Sequence, residues 1–316
     1  MEKGNSTPIY AASERFPSAH CATMTGWADG SLFCAWFAGT REMAQDVVIL
    51  GARKAADDTR WTEPAILAEW EGHSLGQPVF LHHPNGELWL FYDVVFGSHW
   101  RDALPYVQHS SDDGQSWGTA EMLFDQPGLM FRSRPQVIGG RIIVPVYDEV
   151  RWQSMMMISE DNGQSWQFSE RITTANGNIH PCLYQTVEGN LGALLRPGGK
   201  GGFLWQTEST DKGWSWSKPV ETNQKNPNSG FDVWQTGKGR LVLANNPSST
   251  GRNPLTISLS SDGKNWTHSR VIESDEGEFS YPCLWQTPDK RMHLVYTHQR
   301  THIQYVSFSE DWLLNA

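Results

Sequence analysis

Arginine, histidine and acidic side chains gather in six short segments of this chain, and their types suit chemistry on an anion. The segments are FAGTREMAQD (37–46), DVVFGSHWR (93–101), YDEVRW (147–152), RPGGKGG (196–202), NNPSSTGRN (245–253) and THQRTH (297–302). Arg196 opens a glycine-rich run that lets backbone and ligand come close, and a guanidinium offers a rigid fork of donors to a carboxylate. Arg41, Arg134 and Arg252 carry the same group. Trp100 with Arg101 reads as a rim platform for a sugar ring. His20 and His180 each either cap a strand, bind a hydroxyl or act as a general base. Tyr281 precedes Pro282 at the end of an extended stretch. A neutral phenol with a pKa of about 10 is a poor nucleophile, and a carboxylate within hydrogen-bond reach would have to take its proton.

Other chemistries find no support. No H-E-x-x-H, paired Cys/His cluster or G-x-G-x-x-G occurs, so neither a metal nor a nucleotide cofactor is expected. The formal charge of −10 argues against a general nucleic-acid binder, which needs a basic stripe. It leaves room for a local basic pocket for an anionic small molecule. The four cysteines, Cys21, Cys34, Cys182 and Cys283, show neither C-x-x-C spacing nor a disulfide framework. The start lacks an apolar segment of the signal-peptide kind, and no uncharged apolar run approaches twenty residues. The expectation is a soluble, cytoplasmic protein without a membrane partner.

The elements that must position these side chains show in a repeat. SSDDGQSW (110–117) returns as SEDNGQSW (159–166), STDKGWSW (209–216) and SSDGKNW (260–266), with worn copies ending at Trp61 and Trp312. The spelling suits a tight turn: Asp112 or Asp161 accepts backbone N–H bonds, and Gly114 or Gly163 tolerates positive φ. The tryptophan then pins the turn to a neighbouring layer. The closing tryptophans 61, 117, 166, 216, 266 and 312 mark six units of about fifty residues. Each unit holds short strands separated by turn signals, as in CLYQTVEGNLGALL followed by GFLWQTEST, and no segment sustains a helical period. Residues 1–316 therefore read as one all-β domain, a six-bladed β-propeller of four-stranded antiparallel sheets. The last unit lacks room for an outermost strand, so residues 7–13 (TPIYAAS) are expected to supply it and close the ring.

With strands A to D numbered outward from the axis, the Asp-bearing turns join C to D, and turns such as PNG and VEGN join A to B. Alternating strand direction puts both sets on one face. The B–C loops and the residues leading into strand A, which include His20, Gln77, Arg134, His180, Asn228–Gly230 and Tyr281, then crowd the other mouth of the ring. Loops on a rigid frame usually carry the site.

Six units with such turns (Asp boxes), together with DVVILGAR after an Arg/Glu-bearing loop, EFSYPCLWQT, NPNSGFDVWQT and GRNPLTISLS, resemble the bacterial sialidase (neuraminidase) superfamily over residues 18–308. The resemblance implies a retaining glycosidase with a tyrosine nucleophile activated by a glutamate, and it aligns Tyr281 with that tyrosine. It aligns Asp46 with the acid/base aspartate, and Arg196 and Arg252 with two of three arginines that clamp a substrate carboxylate. The third would precede strand A of the first blade, where this chain has His20; Arg41 or Arg134 could rebuild the clamp. Glu149 and Glu278 both qualify as partner of the tyrosine.

Three functions compete. The leading one is an exo-acting glycoside hydrolase that releases a terminal acidic sugar, sialic acid first among them, from a carbohydrate bearing a carboxylate. The second uses the same pocket on a uronic-acid-containing glycan, by hydrolysis or by β-elimination with His180 or Tyr281 as base. The third is a non-catalytic carbohydrate-binding propeller.

Overall fold

A computed structural model describes Gly4 and residues 6–315. It contains six antiparallel sheets, and the chain completes one before starting the next. The innermost strands are Ser18–Gly26, Ser74–His82, Asn178–Gln185, Asp232–Gln235 and Phe279–Gln286 in blades one, two, four, five and six. In blade three the inner strand is split into Leu129–Phe131 and Gln136–Ile138, both paired to Arg141–Asp148. Pro135 lies in the gap and cannot donate to a ladder. The outermost strand of blade six is Thr7–Ala11, antiparallel to His302–Ser309 with Thr7 opposite Tyr305 and Ala11 opposite His302. Closure by the N-terminal strand thus follows the sequence reading, because no residues after Ser309 could pair there: they fold as the short helix Glu310–Leu314.

That helix replaces the sixth turn expected at SFSEDW. The segment has lost the glycine of the other copies, and Ser309 acts instead as a helix N-cap, accepting from Trp312 N at 3.2 Å. Glu310 and Asp311 then occupy the first turn, where the helix dipole favours them. Among the described residues no helix is long and apolar enough to cross a membrane.

The intact turns show why their spelling recurs. Asp112 accepts from Ser116 N at 2.9 Å and from Ser116 Oγ at 2.5 Å, while Ser110 Oγ donates to the same carboxylate at 2.7 Å. These bonds hold the Asp112 carboxyl well below the usual carboxylate range. Asp161 repeats the pattern with Ser165 and Ser159. Gly163 sits at φ +82° with its Cα pressed on the Trp89 ring of blade two, so the turn of one blade docks on the blade before it. The core likewise lies between blades: Val79 and Phe91 of blade two pack with Phe131, Val144 and Met155 of blade three. Each large apolar side chain so buried stabilises the ring by roughly 1.5–3 kcal/mol.

Candidate active site

Four inner strands break register at the same place, between His20 and Thr23, Gly76 and Val79, Ile179 and Cys182, and Ser280 and Cys283. The first unpaired residue of each break is left-handed: Cys21 at φ +58°, Gln77 at +51°, His180 at +52° and Tyr281 at +52°. In three of the four the next residue is proline (Pro78, Pro181, Pro282), which has no N–H for the ladder. A non-glycine residue pays roughly 1–2 kcal/mol for this conformation, and such bulges re-aim a side chain. Here they turn four side chains toward the axis of the ring. The position equivalent to Tyr281 in blade one is therefore Cys21, with His20 one residue earlier. Cys21 donates its thiol to Gln77 Oε1 at 2.8 Å, which ties two of the bulges together.

Tyr281 is almost fully buried at the centre of a basic cluster. Its Oη accepts a hydrogen bond from Arg196 Nη1 at 3.0 Å. The guanidinium carbons of Arg132, Arg252 and Arg196 stand 5.2, 5.3 and 5.8 Å from its ring centroid. The His20 ring lies 4.3 Å away between centroids and the His180 ring 5.6 Å. Second contacts hold the arginines. Arg196 Nε donates to Asn228 Oδ1 at 2.7 Å and its Nη2 to Asn228 O at 2.9 Å. Arg132 Nη2 donates to Pro282 O at 2.9 Å, and Arg252 Nη1 pairs with Glu278 Oε1 at 2.9 Å.

Electrostatics follow from that packing. Burial, reinforced by Arg300, Arg252, Arg132 and Arg196, pushes His20 well below the usual imidazole range. His180 moves the same way through burial and then Arg196, Arg132 and Arg252. Both rings are therefore neutral at pH 7, able to accept a proton but held among cations. His20 Nδ1 is buried without a hydrogen-bond partner. Burial also lifts the Glu149 carboxyl to about 7, against the pull of Arg196. Among the described residues, no three His, Cys, Asp or Glu converge as metal ligands.

The candidates from the sequence separate into three sets. His20, His180, Arg196, Arg252 and Tyr281 come together around one phenol. Glu149, Trp100 and Arg101 share a neighbouring cavity of about 380 Å³ with Met43, Ser98 and His99. The remaining candidates lie elsewhere. Arg134 is no part of a clamp: its Nη2 pairs with Asp232 Oδ2 at 3.0 Å and donates to Leu284 O at 2.5 Å, while the guanidinium lies over Trp234. Arg41 is exposed. Asp46 is exposed too, and its carboxylate caps Thr40, accepting from the backbone N at 3.1 Å and from Oγ1 at 2.5 Å.

Three charged residues of the mouth escaped the sequence reading as site candidates. Arg132 stands two positions from Arg134 in FRSRPQ, and that alternation was the only signal that both face one way. Glu42 accepts from Trp100 Nε1 at 3.1 Å and pairs with Arg300, which reaches Glu278 Oε2 at 3.2 Å. The chain of contacts Trp100–Glu42–Arg300–Glu278–Arg252 thus rims the mouth beside Tyr281.

Comparison with known proteins agrees with this architecture. The BNR repeat-like domain family matches residues 30–294. An anhydrosialidase from Macrobdella decora is 23% identical over 221 residues, which is 60% of this chain and 29% of that protein's length. A protein of unknown function from Dyadobacter fermentans superposes with a TM-score of 0.82 at 17% identity, covering 97% of this chain and 98% of the other. The intramolecular trans-sialidase from Ruminococcus gnavus, solved with oseltamivir carboxylate, gives 0.79 at 15% identity and covers 98% of each chain.

Proposed function

This chain belongs to the BNR repeat-like domain family, and from that premise we propose that it is a glycosidase of the sialidase type acting on a terminal sugar that bears a carboxylate. The sialidase-like fold and the distant anhydrosialidase relative support the class. One observation carries the reading to this chain: a buried tyrosine whose Oη accepts from Arg196 at 3.0 Å inside a ring of three guanidiniums. Arg196 and Arg252, joined by Arg132 in place of the missing first-blade arginine, hold the substrate carboxylate. The same cations, with the Arg196 N–H, stabilise negative charge on the phenol oxygen. Tyr281 attacks the anomeric carbon, and its proton passes to a neutral imidazole packed on its ring. A neutral nucleophile also avoids the repulsion that a carboxylate would meet from an anionic sugar.

The test is release of free sialic acid from an aryl α-sialoside, followed by mass spectrometry of enzyme quenched with a slow fluorinated analogue. Sugar attached to the peptide holding Tyr281 supports the reading. Turnover with no adduct, or with an adduct elsewhere, removes Tyr281 as nucleophile.

A second reading has its own observation. Tyr281 Oη has no carboxylate partner among the described residues, and His180 occupies the matching bulge of blade four. A neutral imidazole beside arginines that neutralise a carboxylate also suits removal of the proton next to that carboxylate, hence β-elimination on a uronate. An unsaturated product absorbing in the near ultraviolet, without sialic acid release, would select it. Glycan binding with neither product would leave a lectin-like propeller.

A further inference from the structure

Resting on the sialidase-type reading, we propose that Glu149 donates the proton to the departing glycosidic oxygen, and that the cavity between blades two and three holds a saccharide leaving group. Proton donation needs a carboxyl that keeps its proton at working pH and has it free to give. Asp46 has neither property: it is exposed, and its oxygens are taken by Thr40. The Glu149 carboxyl forms no hydrogen bond or ion pair with any described residue, yet it lines the cavity with Met43, Trp100 and Arg101.

Its backbone is fixed for the task. Glu149 N donates to Gly128 O at 2.7 Å. Asp148 accepts from Val150 N at 2.9 Å and Arg151 N at 3.0 Å and pairs with Arg151 and Arg171, which locks the turn on both sides. The groups that face Glu149 are Asp148 on its own loop, Arg196 of blade four and, through their own titration, Asp93 of blade two and Tyr147. Arg196 stands between the two reacting groups, attracting the Glu149 carboxyl while its Nη1 donates to Tyr281 Oη. Acid and nucleophile are thus close enough to share one sugar and are not bonded to each other.

The cavity has the lining of a sugar subsite. The Trp100 indole lies flat on Gly76, where any Cβ would overlap its six-membered ring, and its Nε1 is anchored on Glu42. A neutral sugar stacks on an indole face, with Ser98, His99 and Arg101 at hand for its hydroxyls. In the first step the Glu149 O–H proton moves to the glycosidic oxygen as the bond from that oxygen to the anomeric carbon breaks. The bonding pair stays on the oxygen, and Tyr281 Oη bonds to the carbon. In the second step the Glu149 carboxylate takes a proton from the water that attacks that carbon, and the electron pair returns to Tyr281.

Glu149→Gln keeps the shape of the protonated acid and removes the donor, so it is the variant to compare with wild type on two substrates. Sialyllactose has a poor leaving group that needs the proton, whereas a nitrophenyl α-sialoside does not. The expected result is a kcat/KM loss of about 10²–10⁴-fold on sialyllactose and under about tenfold on the aryl sialoside. The alkaline limb of the wild-type pH profile on sialyllactose should vanish with it. Equal losses on both substrates, or none on sialyllactose, overturn the assignment to Glu149 while leaving the reading of the enzyme intact. Wild-type silence on the aryl sialoside overturns that reading, and the assignment falls with it.

Discussion

Gly230 lies flat against the ring of Tyr281: a Cβ placed on it would stand 3.0 Å from Cδ1, 3.0 Å from Cγ and 3.1 Å from Cδ2. Gly230 belongs to blade five and Tyr281 to blade six, so this contact sets the ring across a blade boundary. Gly230→Ala should push the phenol by a few tenths of an ångström, away from Arg196. The expected outcome is a fall in kcat of roughly tenfold to a hundredfold, with a thermal midpoint close to wild type. Steady-state kinetics alongside calorimetry would check it, and unchanged kcat would detach Gly230 from the positioning of Tyr281.

Tyr281→Phe removes one oxygen and the bond from Arg196 Nη1 but keeps the ring on which His20 and the arginines pack. Activity should drop by about a thousandfold or more, with far-ultraviolet circular dichroism unchanged. Residual activity within tenfold of wild type would point to a different nucleophile or to the elimination route.

Arg196→Lys tests the clamp. The guanidinium serves Asn228 Oδ1, Asn228 O and Tyr281 Oη together, and an ammonium on a flexible stem cannot span all three. Leaving the Asn228 carbonyl oxygens short of donors should cost about 1–3 kcal/mol of stability. KM for a carboxylate-bearing sugar should rise tenfold or more, while an uncharged aryl glycoside, used as an inhibitor, should bind no worse than before. A KM that stays level would place substrate recognition elsewhere in the mouth.

The two buried histidines make a pH prediction with a definite sign. Both have folded-state pKa values pushed down from the model 6.5, so the unfolded chain takes up protons first as pH falls. Their contribution is fully present above about pH 6.5 and is lost as the pH drops toward the folded values. Glu149 and Asp93 are raised and act in the opposite direction: their contribution is lost as pH rises, through about 7 for Glu149. The wild-type curve mixes the two. The informative quantity is the difference between wild type and His180→Asn in urea midpoints from pH 7.5 to 5. That difference should change by up to about 1.4 kcal/mol per pH unit, the slope for one proton. A flat difference would mean that His180 titrates normally.

Gly163→Ala should reveal how the turns lock the ring. A left-handed φ of +82° and the Trp89 ring against the Cα leave no place for a methyl group. The expected loss is roughly 2–4 kcal/mol, read from chemical denaturation. The same change at Gly139, also left-handed at +58° but with open space where the Cβ would go, should cost only the backbone share.

Local chemistry made the architecture legible. A turn that needs Asp, Gly and Trp at set offsets writes itself into the chain each time it is used, as at Asp112 and Asp161, and six copies count the blades. Strand alternation then told which loops share a mouth, and so gathered Arg196, Arg252, His180 and Tyr281 before any coordinates. The limits were equally physical. Arg132 and Arg134 sit two residues apart on one stretch, and only partners from distant blades, Pro282 O for one and Asp232 for the other, send them to different places. Asp46 and Glu149 are both acids in B–C loops, but whether a carboxyl is pinned in solvent by Thr40 or left unpaired against a cavity depends on what packs over it. Turn chemistry and alternation are properties of neighbours in the chain. Burial and partnership are properties of neighbours in space, and these were settled only when the ring closed.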